Sequence, residues 1–115
     1  MNIGIADGDE LEFHLSRAEL FFREGEVERA LRSARRALLL CADKESSKAV
    51  ALRIFVAKCY CALGEIEKSN AEYRALIDEN NYLPPIIMGL MHNNLLQGKD
   101  EKVKKNMQLV KIFTG

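Results

Sequence analysis

Proline is nearly missing from this chain. There are two, adjacent at Pro84 and Pro85, so helices elsewhere can run unbroken. Cysteine is scarce and odd in number, at three, which excludes a closed disulfide framework. Cys59 and Cys61 lie two apart on a predicted helix, roughly 200° around its axis, and cannot converge on one metal ion there. All three cysteines are read as small reduced core residues of an intracellular protein, cytoplasmic or nuclear. Net charge is missing too: 17 basic residues balance 17 acidic ones. That balance removes any general pull toward nucleic acid or an acidic membrane surface. No apolar run reaches the roughly 18 residues of a membrane span. The N-terminus shows no basic segment leading into an apolar stretch, so no signal peptide is read there.

The signatures of catalysis are also missing. His14 and His92 are the only histidines, and no serine or cysteine motif accompanies either. Both are read as packing residues. The seven glycines are scattered rather than gathered into a phosphate loop. The acidic stretches 7–10 and 24–28 lack calcium-loop spacing. The expectation is a protein without enzymatic activity, cofactor or metal.

What is present is a periodic helical pattern. Apolar residues make up 48% and charged residues 30%, ordinary for a globular protein of one domain. Gly25-Glu26, Gly64-Glu65 and Gly98-Lys99 each follow and precede an apolar stripe, at intervals of 39 and 34 residues. Recurrence near 34 residues with a helix–turn–helix unit marks a helical repeat array. Residues 1–10 carry no stripe and read as a flexible lead-in, with Asp7 or Asp9 as a candidate cap.

The spacing predicts six helices. The first runs from about Glu10 to Arg23 on Leu11, Leu15, Ala18 and Phe22. The second, about Val27 to Cys41, places Val27, Ala30, Leu31, Ala34, Leu38 and Cys41 on one face. Arg29, Arg32 and Arg36 lie opposite, with Glu28 placed to pair with Arg32. Ser46 or Ser47 caps a third helix, about Lys48 to Leu63. A fourth runs from about Ile66 to Asp78. Asparagines and Pro84-Pro85 stop it and open a fifth, about Pro85 to Gln97, apolar nearly all round at its start. A sixth, about Asp100 to Phe113, carries Val103, Met107 and Val110.

These residues resemble the tetratricopeptide repeat, over about residues 11–113. That family places a small residue at the eighth repeat position, an aromatic at the eleventh, glycine at the fifteenth, alanine at the twentieth, an aromatic at the twenty-fourth and alanine at the twenty-seventh. Ala18, Phe21, Gly25, Ala30, Ala34 and Ala37 stand there in a first repeat, 11–45, which departs at the twenty-fourth. Ala57, Tyr60, Gly64, Ser69, Tyr73 and Leu76 stand there in a second, 48–81. In a third, 84–113, only Gly98 matches well. The family proline is replaced by Ala42 and Asn81 in the first two.

The resemblance implies an all-α fold: three helix–turn–helix repeats, six helices, in a short right-handed superhelix with a concave groove. Family groove positions fall on Glu12, Leu15, Glu19, Phe22 and Arg23, then on Ala51, Ile54, Lys58, Cys61 and Ala62. Leu15 and Glu19 replace the lysine and asparagine with which chaperone-binding members hold a C-terminal carboxylate, so no such peptide is expected to bind. Residues 57–64 and 83–91 are similar to N-terminal repeats of anaphase-promoting complex scaffold subunits, a family that homodimerises. The implied function is a noncatalytic scaffold or adaptor within a multiprotein assembly. Its partner would be a protein or peptide, with homo-oligomerisation through Leu39, Leu40, Ile86, Ile87, Leu90 and Met91. One alternative is a chaperone holding an extended peptide of a secretion or assembly substrate. The other is nucleic-acid binding through the basic faces of the second and sixth helices. Those faces, including Arg29, Arg32, Arg35 and Arg36, are read first as solvated, and zero net charge argues against nucleic acid.

Overall fold

The computed structural model describes residues 7–98, and every element among them is helical. There are five: α1 Asp7–Arg23, α2 Val27–Leu39, α3 Ser47–Ala62, α4 Ile66–Asp78 and α5 Pro84–Leu96. The expected sixth helix, about Asp100 to Phe113, lies outside the described residues. Boundaries fall close to those expected. The exception is α1, which starts at Asp7, so Asp7 and Asp9 lie in its first turn instead of capping it. Acidic residues suit that place, because the helix N-terminus carries partial positive charge.

Local chemistry explains the breaks. Gly25 and Gly64 both take φ +81°, and Glu26 and Glu65 after them take nearly identical dihedrals. In each turn the glutamate N–H donates five residues back, to Phe21 and Tyr60 respectively, at 2.8 Å. The glycine N–H donates three back, closing a Schellman motif. Asn80, at φ 66°, repeats this geometry after α4, with Asn81 N–H donating to Leu76. Ser46 Oγ accepts from Ala49 N–H and caps α3. Pro84 and Pro85 open α5, where a missing N–H costs nothing.

The hairpins α1–α2 and α3–α4 follow one plan. Ala18 and Ala57, Ala30 and Ser69, and Ala37 and Leu76 are pairs 39 residues apart, and all six are fully buried. Ala34 and Tyr73, spaced likewise, are also buried. The alanines and Ser69 among them let paired helices approach closely. Two clusters form the core. Leu11, Ala18, Ala34, Ala37 and Cys41 meet Ala49, Leu52, Val56 and Tyr60 of α3. On its other side α3 sends Val50, Ile54 and Ala57 to Tyr73, Leu76 and Ile86. Thus α3 belongs to both clusters and joins the first hairpin to α4 and α5.

Polar links set the register between helices. Ser69 Oγ donates to the Ala57 carbonyl at 2.7 Å. Asn93 Nδ2 donates to Ser69 Oγ and to Asn70 Oδ1, both at 2.9 Å. Buried bonds of this kind fix one alignment, because a slipped helix would strand the same groups without partners. Arg53 makes a two-pronged pair with Glu79, at 3.0 and 2.5 Å, tying α3 to the end of α4. Lys48 pairs with Glu12 between α3 and α1.

Candidate functional site

Along α1, α3 and α5 runs a groove of about 680 Å³, lined by Phe22, Lys58, Cys61, Ala62, Tyr73, Pro85, Met88, Gly89, His92 and Asn93. Each helix supplies residues from its later turns or from one stripe. The hairpin plan puts α1 and α3 on the same side, and the Pro84 start turns α5 beside them. Tyr73 forms the floor from α4. It can do so because α5 presents Gly89: a β-carbon there would stand 2.3–2.6 Å from the Tyr73 ring. Burial raises the Tyr73 hydroxyl pKa, with the nearby Cys61 adding to the effect.

The groove's character is apolar with a few polar groups. Met88 is 66% exposed and Phe22 36%, so its walls offer large apolar surface to a ligand. The Phe22 ring leans on Phe55, with centroids 5.4 Å apart, which fixes its position. Lys58 is exposed and supplies a cation. Cys61 Sγ lies 3.7 Å from His92 Nδ1. Desolvation raises the Cys61 thiol pKa, the opposite of the shift a nucleophilic cysteine needs. The contact is therefore between a neutral thiol and an imidazole. No cluster of three or more potential metal ligands occurs among the described residues.

Four of the expected groove positions meet here: Phe22, Lys58, Cys61 and Ala62. The others do not line it. Glu12 is exposed and pairs with Lys48. Leu15 is half-buried against the first core cluster, and Ile54 is buried in the second, so their bulk serves packing. Glu19, Arg23 and Ala51 are exposed outside the groove. Cys61, expected both as a core cysteine and at a groove position, faces the groove; Cys41 and Cys59 are buried. Burial pushes the Cys59 thiol up to about 12.

Pro85, Met88 and His92 were not anticipated in the groove. A signal existed: in the expected third repeat they fall at the second, fifth and ninth positions, the positions expected to line the groove in the first two. Tyr73, Gly89 and Asn93 had no such signal, because they enter through contacts between helices.

The apolar self-association patch changes. Ile86 is fully buried in the second cluster, because α5 points it at Leu76 and Tyr73. Leu40, Leu90 and Met91 are half-buried. Leu39, 79% exposed, and Ile87, 40% exposed, remain on the surface, on α2 and α5 respectively. Glu28 makes no ion pair with Arg32 among the described residues; Glu26 pairs with Arg29 at 3.3 Å instead. No helix among the described residues is long and apolar enough to cross a membrane.

No protein-family model matches this chain, and no curated protein or solved structure matches it either.

Proposed function

We propose that this chain is a noncatalytic protein-interaction module of tetratricopeptide type, three repeats and six helices, that takes a peptide segment of a partner protein in its groove. The observation that carries this reading is the groove itself: an open channel along the alternate helices α1, α3 and α5, apolar in its walls, with a cation, Lys58, that forms no ion pair among the described residues. Support for the repeat architecture comes from the matched Schellman turns at Gly25 and Gly64. Gly98 likewise takes a positive φ, +69°, and its N–H donates three residues back, to Leu95.

The occupant with complementary chemistry is an extended peptide bearing a large apolar side chain beside a carboxylate. The apolar side chain would cover Met88, Phe22 and the Tyr73 floor, and the carboxylate would meet Lys58. A channel of this kind is common to adaptors and to chaperones that hold an extended segment, and we assign the adaptor role. Homodimerisation, and membership of an anaphase-promoting assembly, rest on sequence resemblance and gain nothing from this groove.

Selection of a displayed random-peptide library on the whole chain tests the reading. Enriched peptides should pair an apolar residue with an acidic one. Their affinity should fall by at least about tenfold on Met88→Glu and on Lys58→Glu, the scale of one charged or buried contact. Leu39→Glu, on α2, should leave it unchanged. Failure to enrich any sequence, or binders indifferent to both groove changes, would overturn it.

A further inference from the structure

The outer side of the first hairpin holds a second, differently built cleft of about 430 Å³. Phe13, His14, Arg17 and Phe21 of α1 line it, with Arg29, Arg32, Ser33 and Arg36 of α2. The hairpin plan says what this face corresponds to. A shift of 39 residues carries Phe13, Arg17 and Phe21 onto Leu52, Val56 and Tyr60. Those three are buried against the first hairpin. On the first hairpin the equivalent face is open, with Phe13 53% exposed. Arginine stands where the second hairpin has valine.

The arginines have reorganised that face. The Arg17 guanidinium lies over the Phe13 ring at 5.4 Å and over the Phe21 ring at 5.3 Å. Arg29 lies over Phe21 at 5.8 Å. Such stacking holds a guanidinium flat on an aromatic face while its N–H edges stay free to donate. Two carboxylates stand nearby: Glu26, paired with Arg29, and Glu10, 4.0 Å from His14. Among the described residues Arg17, Arg32 and Arg36 form no ion pair. The cleft therefore concentrates cationic donors on a chain with zero net charge.

We infer that this cleft docks an acidic peptide segment of a partner protein, separate from the groove. Charge decides the occupant. A second copy docking symmetrically through this face would set arginine against arginine, which costs free energy at an isologous contact. Nucleic acid would need bare aromatic faces for its bases, and the Phe21 ring is already stacked on by Arg17 and Arg29. Carboxylates need only the guanidinium edges, which they meet in two-pronged fashion. Apolar side chains between them would cover Phe13.

The test is fluorescence anisotropy of a labelled peptide of alternating glutamate and alanine, which offers the groove no large apolar side chain, titrated with the whole chain. Arg32→Glu with Arg36→Glu should weaken binding by at least about tenfold, the scale of one charge-assisted hydrogen bond. Both residues are exposed, and circular dichroism should confirm an unchanged helical signal. Arg17→Glu should weaken binding similarly. Arg74→Glu, an exposed arginine on α4, should leave it unchanged. The inference is overturned if the peptide does not bind, or if the Arg32 and Arg36 reversals have no effect. It is also overturned if oligothymidylate competes as well as the peptide, which would make the cleft a general polyanion site.

Discussion

A β-carbon added at Gly64 meets no heavy atom within 4 Å, whereas one added at Gly89 falls 2.3 Å from the Tyr73 ring. The two glycines therefore fail differently when replaced. At Gly64 space is free and the obstacle is backbone handedness, φ +81°. Gly64→Ala should cost about 1–2 kcal/mol in urea unfolding. A D-alanine placed there by chemical synthesis should cost nothing, and equal losses for both forms would refute a conformational cause. At Gly89 the obstacle is steric. Gly89→Ala should cost at least about 1–3 kcal/mol, as overpacking does. It should also be partly rescued by Tyr73→Leu, so that the two changes are not additive. The Gly64 turn was legible, because Gly-Glu between two apolar stripes leaves few other conformations. Gly89 was not, since its constraint comes from a ring on another helix.

Between elements, the pairing of Arg53 with Glu79 links α3 to the end of α4 and is sensitive to acid. Hydrogen bonding to Arg53 lowers the Glu79 pKa from its ordinary 4.5. A depressed folded-state pKa stabilises the fold above the unfolded value and ceases to do so as pH falls through the folded one. Wild type should therefore lose part of its advantage over Glu79→Gln as pH drops from neutrality to below that ordinary range. Urea midpoints of both proteins across this interval measure it. A gap that stays constant with pH would mean that the carboxylate's charge plays no part. No residue in the sequence announced this pair, for its members are 26 positions apart and the turn after α4 brings them together. Helix boundaries were far more legible, because Ser46, Pro84 and the turn glycines act locally. The start of α1 escaped notice because its first turn lacks an apolar stripe, yet an acidic helix start needs none.

Over the whole described chain, α3 carries apolar side chains into both core clusters, while α5 contributes a single fully buried apolar residue, Ile86. Repeat-type stacking makes each element depend chiefly on its neighbours, so stability should be graded along the chain instead of uniform. The sequence showed the periodic hairpins for this reason: each repeats the same local solution. It showed the groove only in part, because Leu15 and Ile54 occupy family groove positions but their bulk is drawn into the core. Native-state amide exchange reads the gradient directly. Protection should be greatest in α3 and least in α5. Leu76→Ala, which opens the second cluster, should cost about 2–5 kcal/mol there. It should speed exchange in α4 and α5 by well over tenfold, since each 1.4 kcal/mol corresponds to about that factor. Amides of α1 and α2 should accelerate less, because Leu11, Ala18, Ala34 and Ala37 close their cluster without Leu76. Equal acceleration in all five described helices would mean that the chain opens only as one cooperative unit, and the graded picture would fall.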